Sequence, residues 1–456
     1  MSLPHYPAYK PSSVEWLGEV PKHWATWKIS HGFQIIGSGT TPPTDNQDWY
    51  DGDVCWVTTG ELRETAIFDT EKKVSREAIQ NFIALKIFPK GSLAIAMYGA
   101  TIGRLGLFGV AASTNQACCV LSGEKSLSTK FMFYWLQAFR DQIILLASGG
   151  GQPNISQEKV RSLRVACPTI PEQQTIARFL DAQTAKLNTL VAMKRALIAK
   201  LKEKRSALIA RTVTRGLPPA AAQAAGLEPH SAMKASGVEW LGKIPVHWEV
   251  KPLKYLFKSV GGGTPSKANA AYWDGDIPWI SPKDMSTKKI SDSEDHISAD
   301  AVIESAVQMV APGATLIVVR SGILRHTIPV AINLVEVTLN QDMKALVARG
   351  PVLNEYLAYY IQGLNRPLLE NWTKSGCTVE SVESDYMLNS LLPVPPKNEQ
   401  QAITTYLDRE AAHIDQLIAK VEAAIERLAE YRQALITAAV TGKIDVRNNA
   451  IIKESA

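Results

Sequence analysis

Asp53, followed by Glu71-Lys72-Lys73, falls in the loose order of a nuclease set, in which acidic residues hold Mg²⁺ and a lysine helps to position the attacking water. Asp53, Glu71 and Lys73 together would hydrolyse a phosphodiester. Spacing this loose arises often by chance in basic chains, and the later stretch that keeps Asp276 has no matching Glu-x-Lys. Other catalytic chemistries find less support. A phosphate-cradling loop needs two glycines ahead of its lysine, and both Gly123-Glu124-Lys125-Ser126 and Gly442-Lys443-Ile444 lack the partner glycine. Thr41-Pro42-Pro43-Thr44 is not the aromatic clamp of an adenine methyltransferase. Ser148-Gly149-Gly150-Gly151-Gln152-Pro153-Asn154 does not follow a strand as a dinucleotide fingerprint does, and reads as a helix stop and loop. The five cysteines form no C-x-x-C and the eight histidines no H-x-x-x-H, so neither a disulfide framework nor a metal site is expected.

The elements that would position such residues belong to an ordinary globular chain. Of 456 residues, 46% are apolar and 20% charged, which excludes a disordered protein, and the length implies more than one domain. A net charge of +5 is mildly basic and selects no partner by itself. No stretch has the length and apolarity of a membrane span, and Met1 to Lys10 has no signal-like apolar core, so the expected location is a reducing cytoplasm.

The chain repeats itself. Val14-Glu15-Trp16-Leu17-Gly18 returns as Val238-Glu239-Trp240-Leu241-Gly242, and Pro21-Lys22-His23-Trp24 as Pro245-Val246-His247-Trp248. Gly39-Thr40 aligns with Gly263-Thr264, Asp51-Gly52-Asp53 with Asp274-Gly275-Asp276, and Asn115-Gln116 with Asn340-Gln341. Glu172-Gln173-Gln174 and Phe179-Leu180-Asp181 align with Glu399-Gln400-Gln401 and Tyr406-Leu407-Asp408, and Val213-Thr214 with Val440-Thr441. So many co-linear matches mean duplication. Similarity concentrates at the ends of each copy. Between them the copies differ, as where Tyr98-Gly99-Ala100-Thr101 faces Ser321-Gly322-Ile323-Leu324, so a shared frame with different contact surfaces is expected.

Each copy reads as a mixed α+β part followed by a long helix. Leu93–Tyr98, Ala117–Leu121 and Ala314–Val319 have the character of strands; Lys130–Leu146 and Leu353–Gln362 that of helices. Pro171 to Arg215 carries a heptad ladder at Leu180, Leu187, Val191, Ile198, Leu201 and Leu208, interrupted by Thr184, Lys194 and Arg205. In the second helix Leu407, Ile414, Val421, Leu428 and Leu435 form one seam, with Ile403, Leu417, Ala424 and Tyr431 as the other. Each helix of about 45 residues would span ~67 Å at ~1.5 Å per residue. Residues 168–216 hold ten basic and three acidic side chains, residues 395–443 six and seven, which favours pairing of the two helices with each other. The chain must return, so the pair is expected to be antiparallel, bringing the termini close.

The paired V-E-W-L-G…P-x-H-W segments, the E-Q-Q…[FY]-L-D openings of both helices, and the endings Val213-Thr214-Arg215-Gly216 and Val440-Thr441-Gly442-Lys443 resemble those of type I restriction-modification specificity subunits, along essentially the whole chain. The resemblance implies an α+β fold with two globular target recognition domains separated by two long antiparallel coiled-coil helices, in a pseudo-two-fold repeat. The expected division is 1–167 first recognition domain, 168–216 first helix, 217–236 linker, 237–394 second recognition domain, 395–443 second helix and 444–456 tail. It further implies a non-catalytic reader of a bipartite, asymmetric double-stranded DNA target. Two methyltransferase subunits would dock on the helices and restriction-translocase subunits would join for cleavage. S-adenosylmethionine, ATP and Mg²⁺ would belong to those partners, not to this chain. The helix length would hold the heads roughly two duplex turns apart at ~34 Å per turn.

Polar, turn-rich segments inside the heads are the candidates for touching DNA, since Arg matches guanine and Asn or Gln adenine. In the first head these are Ser38, Thr40, Thr41, Tyr98, Thr101, Arg104, Gln152 and Asn154; in the second, Thr264, Lys267, Arg320, Ser321, Arg325, His326 and Lys374. Asn115-Gln116 and Asn340-Gln341 recur in both heads, which suits a structural or phosphate-binding role, and Trp16, Trp24, Trp240 and Trp248 suit core packing. The competing readings are a stand-alone Mg²⁺-dependent nuclease and a coiled-coil scaffold that binds no DNA.

Overall fold

A computed structural model describes residues 3–147, 154–229, 232–373 and 380–448. The chain divides into two units, 1–194 with 423–456 and 195–422, so that the division crosses both long helices. Each unit therefore combines one head with the end of one helix and the opposite end of the other.

In the first unit the central element is a five-stranded sheet in the order Phe33–Gly37, Cys118–Glu124, Leu93–Ala96, Leu105–Phe108, Thr65–Ile67. All of its neighbours are antiparallel except Thr65–Ile67 against Leu105–Phe108. Both faces are covered. Leu93, Ile95, Cys119 and Leu121 point into one core and Ala94, Ala96, Cys118 and Val120 into another, as the two-residue period of a strand requires. That is why Leu93–Ala96 is a continuous apolar run. The first core is filled by the helix Thr129–Ala138, whose side chains are buried apart from Lys130. The second is closed by a three-stranded sheet, Ala112–Thr114, Val54–Val57, Lys73–Val74. The helix expected over 130–146 is two helices, Thr129–Ala138 and Arg140–Leu145, broken at Phe139.

The second unit repeats this topology strand for strand. Its five-stranded sheet runs Phe257–Gly261, Met343–Ala348, Thr315–Val318, Val330–Asn333, Lys289–Ile290, and its three-stranded sheet His296–Ile297, Ile277–Ile280, Thr338–Leu339. Ile317, Val319 and Leu346 face one core and Leu316, Val318, Met343 and Ala345 the other. The stretch after Gly216 is packed rather than loose: it forms a short helix, Pro219–Ala224, and buries Leu217 and Ala222 in the second unit's core.

The long helices run Ile170–Arg215 and Lys397–Val440. In the first unit, Ile176, Phe179 and Leu180 from the start of one share a core with Leu435, Ile436, Ala439 and Val440 from the end of the other. In the second unit, Ile209 and Val213 share a core with Ile403 and Leu407. Start meets end both times, so the pair is antiparallel. The heptad positions Leu187, Val191, Ile198 and Leu201 are half-buried between exposed flanks, and Leu208 is half-buried beside buried Ile209. Arg205 spans the seam to Asp415, 2.9 Å from Nε to Oδ1. Tyr431 corrects the expected seam: it is 55% exposed, and half-buried Arg432 takes its place because the helix period drifts from a strict heptad. Among the described residues no helix is long and apolar enough to cross a membrane.

Candidate nucleic-acid interface

The shared motifs meet at the junction of head and helix. Trp24 Nε1 donates to Glu172 Oε1 at 3.1 Å, His23 Nε2 lies 3.0 Å from Oε2, and the Tyr6 hydroxyl donates to Oε1 at 2.8 Å. Trp248 and His247 meet Glu399 at 3.0 and 2.9 Å in the same way. Gln173 accepts from the Ser128 amide, which starts the head's helix, and donates to the Pro168 carbonyl; Gln400 accepts from Leu353 and donates to Pro395. Asp181 accepts from the Tyr134 hydroxyl and Asp408 from that of Tyr359. Gly216 and Gly442 end the helices at φ +79° and +73°, backbone that glycine adopts without a steric penalty. Trp24 and Trp248 are fully buried here, whereas Trp16 is partly exposed against Trp135 and Phe139. These residues build a frame.

The sequence-selected polar residues gather at the other end of the central sheet. In the first head, Phe33–Gly37 and Leu93–Ala96 both run toward the start of Cys118–Glu124, whose far end leads to the frame. At this rim Ser38, Thr40 and Thr41 follow the first strand, Tyr98 and Thr101 the second, and Arg104 precedes the strand Leu105–Phe108. Asn154 bridges Tyr98 through the backbone. The rim and the frame are separated by the length of a seven-residue strand, about 20 Å at ~3.3 Å per residue. In the second head Thr264, Arg320, Ser321, Arg325 and His326 occupy the same rim. Lys267 lies exposed further along the loop after Thr264. Gln152 and Lys374 lie outside the described residues.

Hydrogen bonds fix how the two rims correspond, and they shift the alignment read from sequence. Thr41 donates to Gln116 Oε1 at 2.7 Å and Thr264 donates to Gln341 Oε1. Trp56 Nε1 donates to the Thr40 carbonyl and Trp279 Nε1 to that of Gly263. Thr41 therefore matches Thr264, and Thr40 matches Gly263. The next turn shifts likewise. Met97 N donates to Ala117 O as Val319 N does to Asp342 O; Ile102 N donates to Gly99 O as Leu324 N does to Ser321 O; Arg104 N donates to Thr101 O as His326 N does to Ile323 O. Tyr98 bridges Asn154 as Arg320 bridges Ser381. Tyr98 is thus the counterpart of Arg320, not of Ser321. Asn115 and Asn340 each accept the amide two residues on, at 3.1 and 3.0 Å, and so shape the turn.

Two carboxylates at the second rim were not picked out from sequence. Asp342 accepts from Arg320 Nε at 2.6 Å, and Glu380 from Arg325 Nε at 2.9 Å. The Arg325 guanidinium holds the Glu380 carboxyl below the ordinary carboxylate range. Asp342 follows directly on the recurrent Asn340-Gln341 where the first head has Ala117, a divergence visible in the sequence; Glu380 carries no such signal.

The nuclease-like set does not converge on a metal site. Asp53 is paired with Arg76 at 2.9 Å, which keeps its carboxyl below the usual range, and Lys73 is paired with Asp69 at 3.0 Å, which raises the ammonium. Among the described residues no group of three His, Cys, Asp or Glu could hold a metal ion. Burial pushes the Cys119 thiol up to about 12, which removes it as a nucleophile at neutral pH.

Comparison with known proteins places this geometry. Residues 21–200 and 245–427 match the type I restriction modification DNA specificity domain, once per copy of the repeat. The EcoR124I/EcoR124II specificity subunit of Escherichia coli is 32% identical over 311 residues, 67% of each chain. The MjaIX specificity subunit of Methanocaldococcus jannaschii is 32% identical over 181 residues, 39% of this chain and 40% of that one. Among solved structures, a chain from a study of assembly and conformational transition of the type I R-M system superposes with a TM-score of 0.70 at 17% identity, covering 92% of this chain and 98% of that one. The HsdS subunit from Thermoanaerobacter tengcongensis superposes with a TM-score of 0.54, also at 17% identity, covering 93% and 98%. With both halves matching the domain and the frame motifs accounted for residue by residue, the chain belongs to the family of type I restriction-modification DNA specificity subunits.

Proposed function

We propose that this chain gives a type I restriction-modification complex its DNA sequence specificity, each head reading one half of a split, asymmetric duplex target. One observation carries the reading: two heads of the same topology repeat their main frame contacts at one end of the sheet, Trp24 and Trp248 on Glu172 and Glu399 among them, and differ at the other in rim side chains such as Tyr98 and Arg320. Shared ends suit a common docking frame; differing rims suit two different half-sites. The chain itself is non-catalytic and cytoplasmic. Two methyltransferase subunits dock on the long helices, restriction-translocase subunits join for cleavage, and S-adenosylmethionine, ATP and Mg²⁺ reside on those partners. Lys and Arg contacts to phosphate supply much of the affinity, and a few rim side chains read base edges.

The test is to purify the chain with its methyltransferase partner and map the adenines that the complex methylates. A gapped target with unlike halves is expected. Methylation at a contiguous palindrome overturns the two-head reading. The nuclease alternative requires Mg²⁺-dependent cleavage by the chain alone that Glu71→Ala abolishes; the pairing of Asp53 with Arg76 and of Lys73 with Asp69 argues against it.

A further inference from the structure

The turn leaving the central strand differs in chemistry between the heads and is three residues longer in the second, where the next strand starts at Val330, than in the first, where it starts at Leu105. In the first head it reads Tyr98-Gly99-Ala100-Thr101-Ile102-Gly103-Arg104; in the second, Arg320-Ser321-Gly322-Ile323-Leu324-Arg325-His326. Arg320 stands where the first head has Tyr98, and Arg325 ends the short 3-10 helix Gly322–Arg325 within the longer turn of the second head. Each arginine is bonded through Nε to a carboxylate, Asp342 or Glu380. Each carboxylate lies beneath its arginine: Asp342 is 25% exposed against 54% for Arg320, and Glu380 31% against 63% for Arg325. A carboxylate bonded to Nε restrains the guanidinium and leaves its two terminal nitrogens as donors for another acceptor. An exposed ion pair adds little to stability, so the arrangement is better suited to presenting the arginines than to holding the fold.

We propose that Arg320 and Arg325 are specificity-determining residues of the second head and that each reads a guanine, its two terminal nitrogens donating to O6 and N7 in the major groove. Asp342 and Glu380 are positioning residues that hold the two forks. The first head has Tyr98 in place of Arg320 and a shorter turn, so its half-site is read by other groups. The inference rests on the proposed reading of the heads as half-site readers.

The experiment uses the full chain in complex with its methyltransferase partner, with Arg320→Ala, Arg320→Lys, Arg325→Ala and Asp342→Asn mapped by methylome sequencing and by binding to duplexes substituted one base pair at a time. One half-site of the parent complex is expected to contain guanine. Arg320→Ala and Arg325→Ala should each relax discrimination at a single G·C pair of that half-site by about 5- to 150-fold and leave the other half-site unchanged. Arg320→Lys, which keeps the charge but not the fork, should lose most of that discrimination, and Asp342→Asn part of it, at the same base pair. A half-site without guanine on either strand overturns the proposal. So does a uniform loss of binding across all bases with a salt slope reduced by about one, the mark of a phosphate contact. Either result leaves a gapped methylation pattern intact; loss of that pattern in the parent complex would instead defeat the reading of the heads themselves.

Discussion

Glu172 ties the first head to the long helix through a few hydrogen bonds. It is buried and accepts from the Trp24 indole and the Tyr6 hydroxyl, with His23 at its other oxygen. Removing the acceptor strands buried donors, which costs more than the bonds contribute. Glu172→Ala is expected to destabilise the chain by about 3 kcal/mol in urea denaturation, and Glu172→Gln by less, since the amide oxygen still accepts. Equal losses would mean that the amide oxygen does not replace the carboxylate as acceptor for these donors. The buried tyrosines set the alkaline limit. Burial raises the phenols of Tyr6, Tyr134, Tyr356 and Tyr360 above their ordinary value of 10, with Glu172 adding to the shift at Tyr6. The folded chain therefore keeps these protons after the unfolded chain has lost them. Stability is unaffected by them below pH 10 and falls as pH rises above it, by up to about 1.4 kcal/mol per pH unit for each phenol. Denaturation midpoints across that range, compared with phenolate absorbance, check this; phenols that ionise near pH 10 without unfolding would contradict it.

The contact between head helix and long helix is close enough to need a missing side chain. Gly363 ends the helix Asn354–Gly363, and a Cβ there would stand 2.8 Å from Ala210 N and 2.9 Å from Ala210 Cα. Gly363→Val is expected to push the two helices apart and cost about 2 kcal/mol, read as a lowered denaturation midpoint. The loop carrying Ser38, Thr40 and Thr41 is pinned in a similar way. A Cβ on Gly39 would lie 1.8 Å from the Thr114 carbonyl oxygen. Gly39→Ala must lift this loop off the strand Ala112–Thr114, and selectivity for one half-site should fall while the other is retained. Unchanged methylation at both would show that the loop takes no part in reading.

At the scale of the molecule the duplication makes each unit depend on distant parts of the chain. Asp445 N donates to the Pro4 carbonyl, Val446 is buried in the first unit's core, and Arg447 lies over the Tyr6 ring. The C-terminal stretch thus completes the head that the N-terminus begins. The long helices invite a test of spacing. One heptad inserted between Lys194 and Arg195 and one between Glu422 and Ala423 would lengthen the pair by about 10 Å, or roughly three base pairs of duplex. The gap in the methylated target is expected to widen by about that amount with both half-sites unchanged. Altered half-sites with an unchanged gap would defeat the idea that the helices act as a ruler.

The repeat, the two long helices and their antiparallel pairing were legible in the sequence, because each rests on patterns local to the chain: co-linear motifs, a heptad period and a charge imbalance. Tyr431 marks the limit of that reading, since a strict heptad does not follow the helix over its whole length. The motifs could be recognised without their purpose being visible. That Glu172 serves Trp24 and His23, or that Asp181 serves Tyr134, depends on contacts between residues 47 to 149 positions apart. The rim shows the same division. The sequence determined that the middles of the heads diverge and which polar residues stand there. Only the tertiary structure decided that Arg320, rather than Ser321, answers Tyr98, and that Asp342 and Glu380 lie behind the two arginines. A shift of one residue moves a side chain to the other face of a strand, and hydrogen-bond register, which sequence spacing does not encode, sets that shift.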